Sequence, residues 1–230
     1  MDKVRIGILD NHQAIIDGYQ YRLQGQPDLV VVGTAQSGEG LEELLRRETL
    51  DVLLLDIHVP TSAADATEYP MLQMLPRFVA QYPDLNILVI SMLEQGVVVR
   101  SALNAGATGY VLKDDAGITR QLPDAVRSAA QGNLVLSRKA HEALRRLPQE
   151  QASITKRQRE ILQILADEPN LTAAEVGQRL GITSSTVRNL LSNAYLRLGV
   201  RHRGAAVQRA QQLGLIRPGF SGIAPAGEKQ

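Results

Sequence analysis

From residue 4 to about 131, short apolar runs rich in β-branched residues alternate with stretches whose apolar positions recur at three and four residues. The runs are Val4–Leu9, Val30–Gly33, Val52–Leu55, Ile87–Ile90 and Gly109–Leu112. The helical stretches follow at about Gln13–Gln24, Gly40–Arg47, Met71–Gln81, Val97–Ala105 and Gln121–Gln131, with Gly106 and Gly132 placed as caps. A fivefold strand–helix alternation predicts an α/β domain built on a five-stranded, doubly wound parallel sheet. In such folds the chemistry gathers at the carboxyl ends of the strands.

Past Gly132 come a short apolar segment, Leu134–Leu136, and a helical spacing over Ser137–Leu147. Pro148–Ser153 then reads as an interdomain linker. From there the spacing is helical throughout, over Lys156–Ala166, Ala173–Leu180, Ser185–Leu198 and Arg203–Leu213. The expected organisation is a domain over 1–131, a linker with a short helix over 132–152, a small all-α domain over 153–216 and a Pro/Gly-rich tail over 217–230.

Charge separates the same two parts. Residues 1–150 carry 14 Lys and Arg against 19 Asp and Glu, whereas residues 151–230 carry 11 against 5. A basic segment on an acidic body points to a polyanion as partner of the smaller part. The chain has no cysteine, which excludes a disulfide framework, a thiolate nucleophile and a cysteine zinc site. Its four histidines are too scattered for a His-only metal cluster. Without an apolar run of membrane-spanning length or a signal-peptide pattern, the chain reads as soluble, cytoplasmic and not membrane-bound.

The predicted strand ends place Asp10 and Asn11 after the first strand, Asp56 after the third, Ser91 after the fourth and Lys113 after the fifth. A carboxylate pair can hold Mg²⁺, one carboxylate can attack a phosphoryl donor, and a hydroxyl with an ammonium can bind the transferred oxygens. This is the chemistry of a phospho-aspartate site.

The motifs Ile-Leu-Asp10-Asn11-His12, Leu-Leu-Leu-Asp56-Ile-His58-Val-Pro60, Val-Ile-Ser91-Met and Gly109-Tyr110-Val-Leu-Lys113-Asp114 resemble a two-component receiver domain of flavodoxin-like fold. The whole chain is similar to response regulators of the NarL/FixJ (LuxR-type) family. The resemblance implies that Asp56 accepts phosphate from a sensor histidine kinase. It also implies that Ser91 and Tyr110 reorient as a switch pair, that Lys113 binds the phosphoryl group, and that Mg²⁺ is held by Asp10, Asp56 and the backbone carbonyl of His58. Two departures stand out. Asn11 replaces the usual second acid, removing one unit of charge near the metal, worth up to a few kcal/mol before solvent compensation. The segment Thr61–Pro70 replaces a short turn and sets Asp56 and Ser91 35 positions apart.

In the basic part, Thr155 is an N-cap and Gly181-Ile-Thr183 a short turn between two amphipathic helices, which is helix-turn-helix grammar. Val187, Leu190, Leu191, Ala194 and Leu198 should face the core, leaving Ser184, Ser185, Arg188, Asn189, Ser192 and Arg197 outward. These are residue types that read bases and contact phosphates. Gly181–Asn189, Ser192–Val200 and Arg203 resemble the LuxR-type DNA-binding domain, which makes the helix from about Ser184 the recognition helix and adds Thr183, Thr186 and Asn193 to the candidates. The final helix would support a homodimer on double-stranded DNA. Asp114 and Asp115 read as a charge pair at a helix start, and Arg145-Arg146 as a solvated face. The expected function is a phosphorylation-controlled transcription regulator rather than an enzyme. The alternatives are a regulator with weakened Mg²⁺ and phosphate chemistry, governed by constitutive dimerisation or another ligand, and a phosphoesterase using Asp56.

Overall fold

A computed structural model describes residues 3–115, 121–147 and 154–218. Five strands fall where the pattern places them: β1 (Val4–Leu9), β2 (Leu29–Ala35), β3 (Val52–Leu55), β4 (Asn86–Ser91) and β5 (Gly109–Leu112). All neighbours pair in parallel, in the order β2-β1-β3-β4-β5-β6. The sixth strand, β6 (Val135–Leu136), corrects the five-strand expectation, and it comes from the stretch read as linker. It joins the β5 edge through Gly109 and Tyr110.

Helices α1 (Gln13–Leu23) and α5 (Leu122–Ala130) cover one face of the sheet, over Ile6, Ile8, Val52, Leu54, Leu88 and Ile90. Helices α2 (Gly38–Arg47), α3 (Met71–Gln81) and α4 (Gly96–Asn104) cover the other, over Leu9, Leu53, Leu55, Ile87 and Val89. Adjacent residues of one strand thus feed opposite cores, which is why β3, β4 and β5 are buried throughout and, apart from Asn86 and Ser91 at the ends of β4, carry no polar side chain in alternation. Gly106 and Gly132, following α4 and α5, take positive φ as expected of caps.

Helix α6 (Arg138–Arg145) follows β6 and lies against α4 and β5. The approach is close because Gly96 opens α4: a Cβ there would sit 2.4 Å from the carbonyl oxygen of Ala143. Four further helices make the second domain: α7 (Lys156–Asp167), α8 (Ala173–Leu180), α9 (Ser184–Leu198) and α10 (Arg203–Gln212). Thr155 and Thr172 close capping boxes at α7 and α8, satisfying otherwise orphaned N–H groups. Gly181 ends α8 at φ 65°, a left-handed conformation that costs glycine little, and Thr183 caps α9 two residues later. The guanidinium of Arg203 donates to the carbonyls of Pro169 and Leu171, at 3.1 and 2.6 Å, tying the α7–α8 connection to α10. The expected tail falls largely on residues 219–230, outside the described set.

Replacing Gly96, the first residue of α4, with alanine gains little helix propensity and drives Cβ into backbone that cannot step aside. Gly96→Ala is therefore expected to lower stability by about 1–3 kcal/mol in urea unfolding. Faster hydrogen exchange should appear along α6.

Candidate functional site

The carboxyl ends of β1, β3, β4 and β5 open at one edge of the sheet and bring Asp10, Asp56, Ser91 and Lys113 together. The Lys113 ammonium donates to Asp10 Oδ2 at 2.6 Å and to Asp56 Oδ2 at 2.7 Å. Both carboxylates are almost wholly buried, at 1% and 5% exposed. Their other oxygens accept backbone N–H groups two residues on: His12 to Asp10 Oδ1 at 3.0 Å and His58 to Asp56 Oδ1 at 3.4 Å. Those bonds aim both Oδ2 atoms at one cation, without which the buried negative charges would repel each other in a low-dielectric setting. Asn11 is exposed at the rim.

Ser91 is fully buried and its hydroxyl accepts from the Leu93 N–H at 3.3 Å. Tyr110 points inward, fully buried, with its hydroxyl donating to the Leu93 carbonyl at 2.7 Å. Burial pushes the Tyr110 phenol up to about 12, opposed in part by the Ser91 hydroxyl and reinforced by the charge of Asp56. Ser91 and Tyr110 therefore both hold the same short turn after β4.

The segment Thr61–Pro70 folds back beside this pocket. Pro60 and Glu68 form an antiparallel bridge, Thr61 N–H donates to Thr67 at 2.7 Å, and the Tyr69 hydroxyl donates to Glu42 of α2 at 2.6 Å. Glu68 pairs with the His58 ring, so the side chain of His58 is turned to the insert and only its backbone is available to the pocket. Asp114 and Asp115 do stand at a helix start, but that helix is α6: Asp114 pairs with Lys139, and Asp115 Oδ2 accepts from the Lys139 N–H at 3.2 Å.

In the second domain the turn Gly181–Thr183 joins α8 to α9, the helix-turn-helix expected. Ser185 and Ser192 do not face outward: both are buried, because the stripe of Val187, Leu191, Ala194 and Leu198 is widened by Ser185, Ser192 and Tyr195. The Ser185 hydroxyl lies 2.8 Å from that of Thr183. Thr183, Thr186 and Arg197 are exposed, and Asn193 donates to Asn189 one turn back. The outward face of α9 is turned onto the first domain. The Ser184 hydroxyl lies 3.1 Å from both the Pro83 carbonyl and Asp84 Oδ1, and Asn189 donates to the Asn104 carbonyl at 3.4 Å. Arg188 keeps only 17% of its side chain exposed, 4.0 Å from Asp84, and its Nη2 finds no partner among the described residues. Burial pulls its pKa down while Asp84 pushes it up, though a guanidinium stays charged. Pro83, Asp84 and Asn104 carried no signal in the sequence, since two of the three act through backbone carbonyls.

Residues 6–127 match the response regulator receiver domain family. The chain belongs to the response regulators. Residues 143–198 of the regulator match Sigma-70 region 4, in the part that holds the helix-turn-helix. The regulator is 29% identical to the transcriptional regulatory protein DegU of Brevibacillus brevis over 94% of this chain and 96% of that one. It is also 29% identical to LiaR of Bacillus subtilis, over 93% and 99%. Its fold is similar to that of the response regulator RcsB of Salmonella typhimurium, with a TM-score of 0.57 and 20% identity over 92% of this chain and all of that one. The regulator is thus a transcriptional response regulator of NarL/FixJ type, with a receiver and a DNA-binding helical domain. No helix among the described residues is long and apolar enough to cross a membrane.

Removing the cation should expose the repulsion between the two acids. Lys113→Met is expected to cost about 3–5 kcal/mol in urea unfolding. Asp10→Asn added to it should recover part of that loss, and a strictly additive double-mutant cycle would contradict the coupling.

Proposed function

We propose that phosphorylation of Asp56 by a partner histidine kinase releases α9 from the receiver, so that two copies of the chain read a DNA duplex. The observation that carries the reading is the single ammonium, Lys113, held between Asp10 and Asp56 beside Ser91 at the strand ends. In the transfer, a carboxylate oxygen of Asp56 attacks the phosphorus of a phosphohistidine, the P–N bond breaks, and the imidazole leaves with the electron pair. The product is an acyl phosphate, whose oxygens Lys113 and the Ser91 hydroxyl would bind.

The donor set suits Mg²⁺. Asp10 and Asp56 offer carboxylate oxygens where a positive charge already sits, and the His58 carbonyl and the Asn11 amide oxygen would add further hard donors. When bound, the ion would offset charge on the phosphoryl oxygens; with Asn11 neutral, its affinity should be lower than with two adjacent acids.

Ser184, Arg188 and Asn189 are proposed to contact DNA, with Thr183, Thr186, Asn193 and Arg197 beside them. In the docked arrangement the first three meet a carbonyl, a carboxylate and a helix C-terminal carbonyl instead. These acceptors resemble phosphate oxygens and base edges in kind, so docking and DNA binding compete for the same donors. Phosphorylation shifts the population away from the docked form, and pairing of two copies then places two modest contact surfaces on one duplex.

Two measurements test this. Acetyl phosphate with Mg²⁺ is expected to add one phosphoryl group by intact mass, absent in Asp56→Ala; an unmodified wild type would overturn the phosphorylation step. Asp84→Ala should raise the affinity of the unphosphorylated chain for its operator about three- to tenfold, by removing one long ion pair, open to solvent on the Asp84 side, and one hydrogen bond to α9. Arg188→Ala should weaken DNA binding in both phosphorylation states.

A further inference from the structure

The backbone around Lys113 is gripped from two sides. On one side its own N–H donates to the Ser91 carbonyl of β4 at 2.9 Å. On the other, the stretch between the two domains holds the residues around it. Ser137 N–H donates to the Tyr110 carbonyl at 3.1 Å, and Leu112 N–H donates to the Ser137 hydroxyl at 3.2 Å. Asp115 Oδ2 accepts from the Lys139 N–H at 3.2 Å. Ser137 is 1% exposed and Asp115 9%, so the Ser137 bond is closed to solvent and the Asp115 bond largely so. The Asp114–Lys139 pair is open to water and adds little. The same Ser137 hydroxyl also caps α6, accepting from Ala140 N–H at 3.3 Å.

This grip matters because Lys113 has far to reach. In the sheet β4 lies between β5 and β3, so the strand ends carrying Lys113 and Asp56 stand roughly 10 Å apart. The lysine must span that gap and still meet Asp10 beyond it. A displaced β5 end would therefore appear directly as a misplaced ammonium.

We infer that Ser137 and Asp115 are positioning residues for Lys113, so that the connection between the domains completes the phosphoryl-transfer site of the receiver. The inference rests on the phosphorylation reading above. It also gives that reading a direction. A phosphoryl group that draws Lys113 toward Asp56 pulls on the same bonds from the other end, and through them on the N-terminus of α6.

The test uses the full chain with acetyl phosphate and Mg²⁺, following phosphorylation rate by intact mass. Asp115→Ala and Ser137→Ala are each expected to slow the reaction about tenfold, the scale of a modest misplacement of a reacting group. The Mg²⁺ concentration giving half the maximal rate should stay unchanged, because neither residue is a metal donor. Asp115→Asn and Ser137→Thr keep an acceptor oxygen and should restore the rate, which a general loss of folding in the alanine variants would not explain. Alanine variants that react as fast as wild type would overturn the inference. A wild type that takes no phosphate would instead sink the phosphorylation reading. Hydrogen exchange at the Lys113 N–H then decides the positioning claim alone: faster exchange in the alanine variants sustains it, and unchanged exchange overturns it.

Discussion

Two buried carboxylates share one ammonium, and the receiver is organised around that arrangement. Asp10, Asp56 and Lys113 follow three different strands, and they meet only if the sheet adopts the order β1-β3-β4-β5 with its ends in register. Burying like charges is costly unless a cation compensates them, so the charge balance at this edge depends on the packing of the apolar strands behind it. Any group that changes the charge on Asp56 alters the balance around the one nitrogen that both acids hold.

The pocket and the docked helix sit at opposite ends of the sheet. Asp56 and its partners follow the carboxyl ends of the strands, whereas Pro83 and Asp84 precede β4, Asn104 precedes β5, and Leu134, whose N–H donates to the Arg201 carbonyl at 3.2 Å, precedes β6. Strands of four to six residues separate the two by roughly 13–20 Å. Helix α4 runs that length, touching α6 at its first residue and α9 at its last. It is therefore the element through which events at one end can be felt at the other.

Most of the site was legible because strand periodicity locates strand ends, and polar residues there are few enough to single out. Asp10, Asp56, Ser91 and Lys113 emerged in this way, Thr155 emerged from capping chemistry, and Gly181–Thr183 emerged as the turn between two amphipathic helices. Other features escaped for identifiable reasons. Val135–Leu136 is too short for alternation to register, so β6 and its pairing were hidden in an apparent linker. Ser185 and Ser192 are polar by type yet lie along the core stripe, where small hydroxyls can be satisfied locally. The receiver surface that covers α9 works largely through main-chain carbonyls, which every residue possesses and no side-chain pattern reveals.

The insert Thr61–Pro70 closes on itself: Pro60 bridges Glu68, Thr61 bonds Thr67, Ser62 bonds Asp65, and Tyr69 N–H returns to the Val59 carbonyl. Its two feet stand side by side, so the scaffold sees a tight turn however many residues loop out between them. Length at this position is thus a free variable, and ornament can accumulate at the rim of the pocket without moving β3 or α3.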